Sequence, residues 1–196
     1  MGILSDRAIR HALAQGHIEI DPFDLEQLNT ASYDVRLGDL LGTYSGPGFD
    51  SSPAHGLFPG AAQWKGEHDI RNEPECMVWK ISPDGVLLMP GSLYLMHTVE
   101  RIATRRFVPI IDGKSSIGRL GISVHQTAGY GDPGFDGQFT LEVTTIHPIR
   151  IYPGRRFAQV RFHELCGEPF KLYDGNYKGE TSRGPVKSRA WRMFRK

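Results

Sequence analysis

The chain has 196 residues, enough for one ordinary domain with appendages. With 23 Lys plus Arg against 22 Asp plus Glu, its formal net charge is +1. No single-sign field is available to drive nucleic-acid binding, although local basic sites for a small anion are. Hydrophobic residues at 39% support a packed core, while 23 Gly and 13 Pro favour short strands and many turns over long helices.

No stretch approaches the roughly 18 apolar residues of a membrane helix. The start, Met1 to Arg7, turns charged before a signal-peptide core can form, so a cytoplasmic protein without a membrane partner is expected. The two cysteines, Cys76 and Cys166, are too few for a disulfide scaffold or a four-thiolate zinc site. They are expected to be buried small hydrophobes without chemistry.

Residues 5–15 read as an amphipathic helix, with Ser5 as cap, Asp6 in the first turn, Ile9, Ala12 and Leu13 as the apolar stripe and Gly16 as terminator. Ile18 to Ile20 and Ser32 to Leu37 alternate as strands. From about Gly42 to Glu75 the pattern dissolves into Gly/Pro/Ser punctuation, which predicts a loop excursion. Further strands are predicted at 77–81, 85–89, 92–96, 107–111, 138–145, 149–151 and 157–162. That spacing indicates an all-β sandwich or barrel. Residues 1–173 are expected to form one β domain. Residues 174–196 are expected to form a mobile basic arm, with nothing periodic enough to be core.

The densest polar constellation is Asp112-Gly113-Lys114-Ser115-Ser116-Ile117-Gly118-Arg119. A glycine turn before two serines at the start of a short helix offers amides, hydroxyls and charge to an anion. A capped surface helix with solvated basic residues satisfies the same pattern. A complete Walker-type phosphate loop is absent, because the two-glycine spacing before Lys-Ser does not occur. Next comes a glycine-punctuated loop from His125 to Gly137, in which Asp132 starts a turn at Pro133-Gly134. In the strand after it, Phe139, Leu141 and Val143 point to a core, while Gln138, Thr140, Glu142 and Thr144 share the other face. Glu142 is either a solvated strand carboxylate or, on a closed face, a proton shuttle whose pKa desolvation raises.

Taken together, Asp112-Gly113-Lys114-Ser115-Ser116 with Arg119, Thr127-Ala128, Asp132-Pro133-Gly134-Phe135 with Gly137, and Thr140-Leu141-Glu142 resemble the dCTP deaminase family of the dUTPase-like superfamily. So do Ser5-Asp6-Arg7, Ser32 to Gly38, Tyr152-Pro153-Gly154 with Gln159, and the tail from Tyr177 through Gly184-Pro185 to Ser188-Arg189, which makes residues 174–196, under the resemblance, an arm that closes over the site. The resemblance implies a mainly β fold, a distorted jelly-roll or β-barrel of the dUTPase-like type with a short N-terminal helix. It also implies a homotrimer with active sites between subunits. The implied reaction is zinc-independent hydrolysis of dCTP to dUTP and ammonia, with Mg2+ carried by the triphosphate and no metal ligand on the protein.

In that reading Glu142 shuttles protons, Ser115 and the Ala128 carbonyl hold the attacking water, and Arg119 stabilises charge. Lys114, Ser116 and the helix start meet the triphosphate, and Asp132 meets the 3′-hydroxyl. Thr140 and Leu141 contact the substrate, and Gln159, Tyr173, Lys178 and Glu180 are further phosphate or tail contacts. His17-Ile18-Glu19 matches half of a zinc deaminase motif, but the P-C-x-x-C half does not occur. Two departures stand out: Lys114 replaces a common Arg, and Gly131 stands where an apolar residue is usual. His125 to Gly129 resembles the loop of bifunctional members, which also cleave dUTP to dUMP and pyrophosphate. That activity, or plain dUTPase, is therefore the alternative. A dCMP deaminase or a non-catalytic nucleotide-binding trimer is the minor one, and dTTP is a plausible inhibitor under the resemblance.

Overall fold

A computed structural model describes residues 2–45, 68–177 and 184–195. In chain order the elements are α1 (Asp6–Ala14), β1 (Ile18–Asp21), β2 (Leu28–Asn29), β3 (Ser32–Arg36), β4 (Leu40–Ser45), β5 (Glu75–Lys80) and β6 (Val86–Leu88). They continue with β7 (Tyr94–Thr104), β8 (Phe107–Gly113), α2 (Ser115–Gly118), β9 (Ile122–Ser123), β10 (Asp136–Thr145), β11 (Ile149–Ile151) and β12 (Arg156–Glu164). Single 3-10 turns lie at Leu25–Gln27 and Ala190–Phe194. The chain is mainly β with a short N-terminal helix, as the sequence implies.

One sheet runs β5-β4-β7-β10-β9, with β1 also pairing β7; a second runs β2-β3-β12-β8; β11 and β6 form a small third. The sheets remain open, so the architecture is jelly-roll-like and not a closed barrel. Apolar side chains from both larger sheets and from α1 share one core, including Ile9, Tyr33, Val35, Met96, Ile102, Leu141 and Phe162. The helix forms where its sequence cues lie. Ser5 accepts from the Ala8 amide, Ile9 and Ala12 are buried, and Gly16 takes a φ of 67° that other residues adopt at a cost.

Further expectations need correction. The loop excursion is narrower than 42–75. Gly42 to Ser45 complete β4 and Glu75 opens β5, and these strands pair from Leu40–Lys80 to Ser45–Glu75. Backbone pairing outweighed the glycine signal; positions 46–67 lie outside the described residues. The cysteines are not buried hydrophobes, since Cys76 is half-buried and Cys166 is exposed in the turn after β12. Trp191 is buried although no core position was expected in the tail. Among the described residues, no helix is long and apolar enough to cross a membrane.

The strand expected at 92–96 continues to Thr104, because its polar residues are satisfied internally. Glu100 is 0% exposed and accepts from Arg36 Nε at 2.7 Å, the Arg36 amide at 2.8 Å and Gln27 Nε2 at 3.0 Å. A buried carboxylate is tolerated where such partners replace water. This contact also ties β7 of one sheet to β3 of the other. A register shift between Gln138 and Thr140 marks a bulge in β10, where Thr98 Oγ1 accepts the Phe139 amide at 3.0 Å.

Candidate active site

β10 alternates as its sequence requires: Phe139, Leu141 and Val143 are buried, while Gln138, Thr140, Glu142 and Thr144 occupy the other face. That face borders a cavity of about 310 Å3, lined by Ala128, Asp132, Thr140, Glu142 and Tyr173 from the expected set. Tyr44, Tyr130, Tyr177 and Ser188 also line it. The Leu141 side chain is fully buried on the core face, so only its backbone is available to a ligand.

Glu142 is half-buried, and its Oε2 accepts the Gln126 amide at 3.0 Å. The Gln126 side chain reaches back to the Glu142 carbonyl and to Thr144 Oγ1, both at 3.3 Å. One carboxylate oxygen is thus oriented by the backbone, at the edge of the cavity. The loop bearing Ala128 is pinned to β8. The Gly129 carbonyl accepts the Ile111 amide at 2.7 Å, and a Cβ at Gly129 would lie 2.4 Å from the Ile111 carbonyl oxygen. Gly131 has a similar reason. Its amide donates to the Pro109 carbonyl at 2.8 Å, and an added Cβ would sit 2.9 Å from Pro109 Cγ. Close packing, not looseness, requires the glycine where an apolar side chain is usual.

His125 belongs to the same shell. Its Nε2 lies 3.8 Å from Asp112 Oδ1, and Asp112 is itself paired with Arg161 at 2.9 Å. The His125 Nδ1 is buried without a hydrogen-bond partner among the described residues.

The serine turn is built differently. Ser115, Ser116 and Arg119 are exposed at the single-turn α2, and none of residues 114–119 lines the cavity. A helix this short adds little dipole to an anion site. The Lys114 ammonium pairs with Asp34, whose side chain is 3% exposed and also accepts from Asn29 Nδ2 at 2.8 Å. Gln159 lies beneath this turn, donating to the Gly113 carbonyl at 3.0 Å and accepting from Ser32 Oγ at 2.9 Å. Lys178 and Glu180 lie outside the described residues.

Electrostatically the cavity is one-sided. It carries the carboxylates of Asp132 and Glu142, and no Lys or Arg is among its described lining residues. Sequence reasoning misses Tyr44, because it falls in the loop expected from Gly42. The available signal was Leu40-Leu41 followed by the β-favouring Thr43-Tyr44. Burial pushes the Tyr44 phenol pKa up. Among the described residues, no cluster of three or more His, Cys, Asp or Glu is arranged to hold a metal.

Glu142, Ala128 and Asp132 converge in one cavity on a jelly-roll-like sheet, and residues 3–165 match the model of the dCTP deaminase-like family. The chain belongs to that family. It is 37% identical over 183 residues to a protein of Hathewaya histolytica named dUMP-forming dCTP deaminase, covering 93% of this chain and 95% of that one. It is 38% identical over 168 residues to a protein of the same name from Leptospira biflexa, covering 86% of each. Among solved structures, the dCTP deaminase of Agrobacterium tumefaciens superposes with a TM-score of 0.57 at 24% identity. That match covers 84% of this chain and 48% of that longer one, and it supports the fold.

Proposed function

We propose that the protein converts dCTP to dUMP, ammonia and pyrophosphate with two waters. One water deaminates dCTP to dUTP, and a second cleaves dUTP between its α- and β-phosphates. The name shared by the close relatives favours this bifunctional reading, so release of dUTP as the end product gives way to it. The single structural observation that carries the reading is Glu142, oriented by the Gln126 amide at 3.0 Å beside Ala128 and Asp132.

Glu142 takes the proton of the water that attacks C4 and delivers protons to N3 and the departing amine, a role suited to a fixed, partly desolvated carboxylate. The Ala128 carbonyl and Ser115 hold the water, and Asp132 accepts the 3′-hydroxyl. Thr140 and the Leu141 backbone contact the nucleotide, and Tyr173 borders it. Mg2+ arrives with the triphosphate, and no side chain of this chain is assigned to it.

Two carboxylates and no cation among the described lining residues leave the cavity short of the charge that holds a triphosphate. We therefore assign Ser115, Ser116 and Arg119 to the cavity of a neighbouring copy in a homotrimer, which supplies the missing charge and hydroxyls. Lys114, committed to Asp34, then braces the turn, and Gln159 supports it from below. The setting is the cytoplasm, and dTTP, which shares the deoxyribose and triphosphate, is a candidate inhibitor.

The test is incubation of purified protein with dCTP, dUTP or dCMP plus Mg2+, with products resolved by chromatography. Stoichiometric dUMP, ammonia and pyrophosphate from dCTP are expected. Accumulating dUTP without dUMP would restore the monofunctional reading, and no ammonia would end both.

A further inference from the structure

The tail approaches the cavity in an unusual way. The Gly184 amide donates to Gln138 Oε1 at 3.2 Å, the Val186 amide to Thr140 Oγ1 at 3.0 Å and the Ser188 amide to the Tyr44 hydroxyl at 3.0 Å. Every second amide is therefore taken by a side chain and not by a strand backbone, which is how an extended segment presents one edge. Pro185, which has no N–H, falls between docked positions. The acceptors lie on β10 and then on β4, so the segment crosses the sheet face over β7. Val186 and Ser188 thereby become cavity wall.

Tyr44 ends this alternation, and the following amide, that of Arg189, donates to the Tyr177 hydroxyl at 3.2 Å. The Tyr44 ring meets His68 edge-on, with centroids 5.3 Å apart, which fixes where the hydroxyl sits. A hydroxyl that accepts an amide keeps its own proton to donate, so Tyr44 and Thr140 can hold the tail and still offer O–H groups to a nucleotide. Beside it, Lys187 pairs with Glu73 at 3.0 Å, but both side chains are over a third exposed and the pair is weak.

We propose that Tyr44 is a positioning residue: its hydroxyl latches residues 184–188 as a wall of the Glu142 cavity and retains the intermediate dUTP until it is cleaved. The retention half rests on the two-step reaction proposed above; the latch itself does not.

Tyr44→Phe keeps the ring and removes the acceptor. In the full-length protein, trypsin cleavage after Lys187 and Arg189, followed by mass spectrometry, should accelerate about fivefold, the scale of one hydrogen bond. KM for dCTP should rise by about the same factor with kcat within about twofold, and free dUTP should appear among the products. Ser188→Pro removes the donor instead; because trypsin does not cut a Lys-Pro bond, it is read by cleavage after Arg189 and by KM, which should change as in Tyr44→Phe without adding to it in the double variant. Wild-type trypsin rates together with wild-type KM in Tyr44→Phe would overturn the latch. If wild-type protein makes no dUMP, the two-step reading fails, and the trypsin rates alone then decide whether Tyr44 holds the tail.

Discussion

The Glu142 cavity and the serine turn use their charged groups in opposite directions. Around Glu142, carboxylates face a walled space whose described lining has no cation. At residues 114–119, hydroxyls and Arg119 face outward on one exposed turn, while Lys114 turns inward to a buried aspartate. One region is a container whose described lining lacks positive charge, and the other is a set of ligands lacking a container. A single copy holds both halves without joining them, which suits a site completed across subunits.

The sharpest break between the halves is Glu142→Gln. It should lower deamination by about a thousandfold, the scale of a lost general acid–base group, while nucleotide binding measured by calorimetry persists. Substantial turnover in this variant would remove Glu142 from the chemistry. Ser115→Ala should be similarly impaired, and mixing the two inactive variants after mild dissociation tests whether the halves meet between copies. In randomly mixed trimers about a quarter of sites would pair an intact Glu142 with an intact Ser115, so activity should return toward that fraction. No recovery despite proven subunit exchange would place both halves in one copy.

Lys114→Met sharpens the contrast at lower cost. Leaving Asp34 buried without its ammonium should destabilise the fold by about 2–3 kcal/mol in urea melts, with Lys114→Arg restoring most of it. Unchanged stability with a raised KM would instead make Lys114 the phosphate contact that the family resemblance implies. The smallest effect lies within the cavity sheet, at His97 on β7 opposite Thr140. Burial holds its pKa below the usual 6.5, and Nδ1 sits 2.9 Å from the Thr98 carbonyl. Below pH 6.5 the unfolded chain takes up a proton that the folded chain refuses. Its contribution to instability is therefore absent above that pH and grows as pH falls through it. Thermal melts from pH 7.5 to 5.5 should show this shallow decline, and His97→Asn should flatten it.

Much of this could be read in the residues before any coordinates. The Ser5 cap, the alternation of β10 and the order of the motifs each follow from local periodicity, and these elements formed as expected. Reading failed where satisfaction was long-range. Thr98 to Thr104 look too polar for a buried strand until Glu100 meets Arg36 and Gln27, which lie 64 and 73 residues away. Tyr44 was hidden because β4 is recognisable as a strand mainly through its partners β5 and β7. The inward turn of Lys114 was invisible for the same reason. Asp34, 80 residues distant, claims its ammonium.

The Glu100 contact carries a practical lesson for redesign. Because it rivets the sheet bearing Glu142 to the sheet bearing the serine turn, their spacing within a subunit is a poor variable to engineer. Attempts to alter nucleotide preference should leave both frameworks untouched and diversify the glycine-rich loop and the docked terminus, whose anchors are few and individually replaceable.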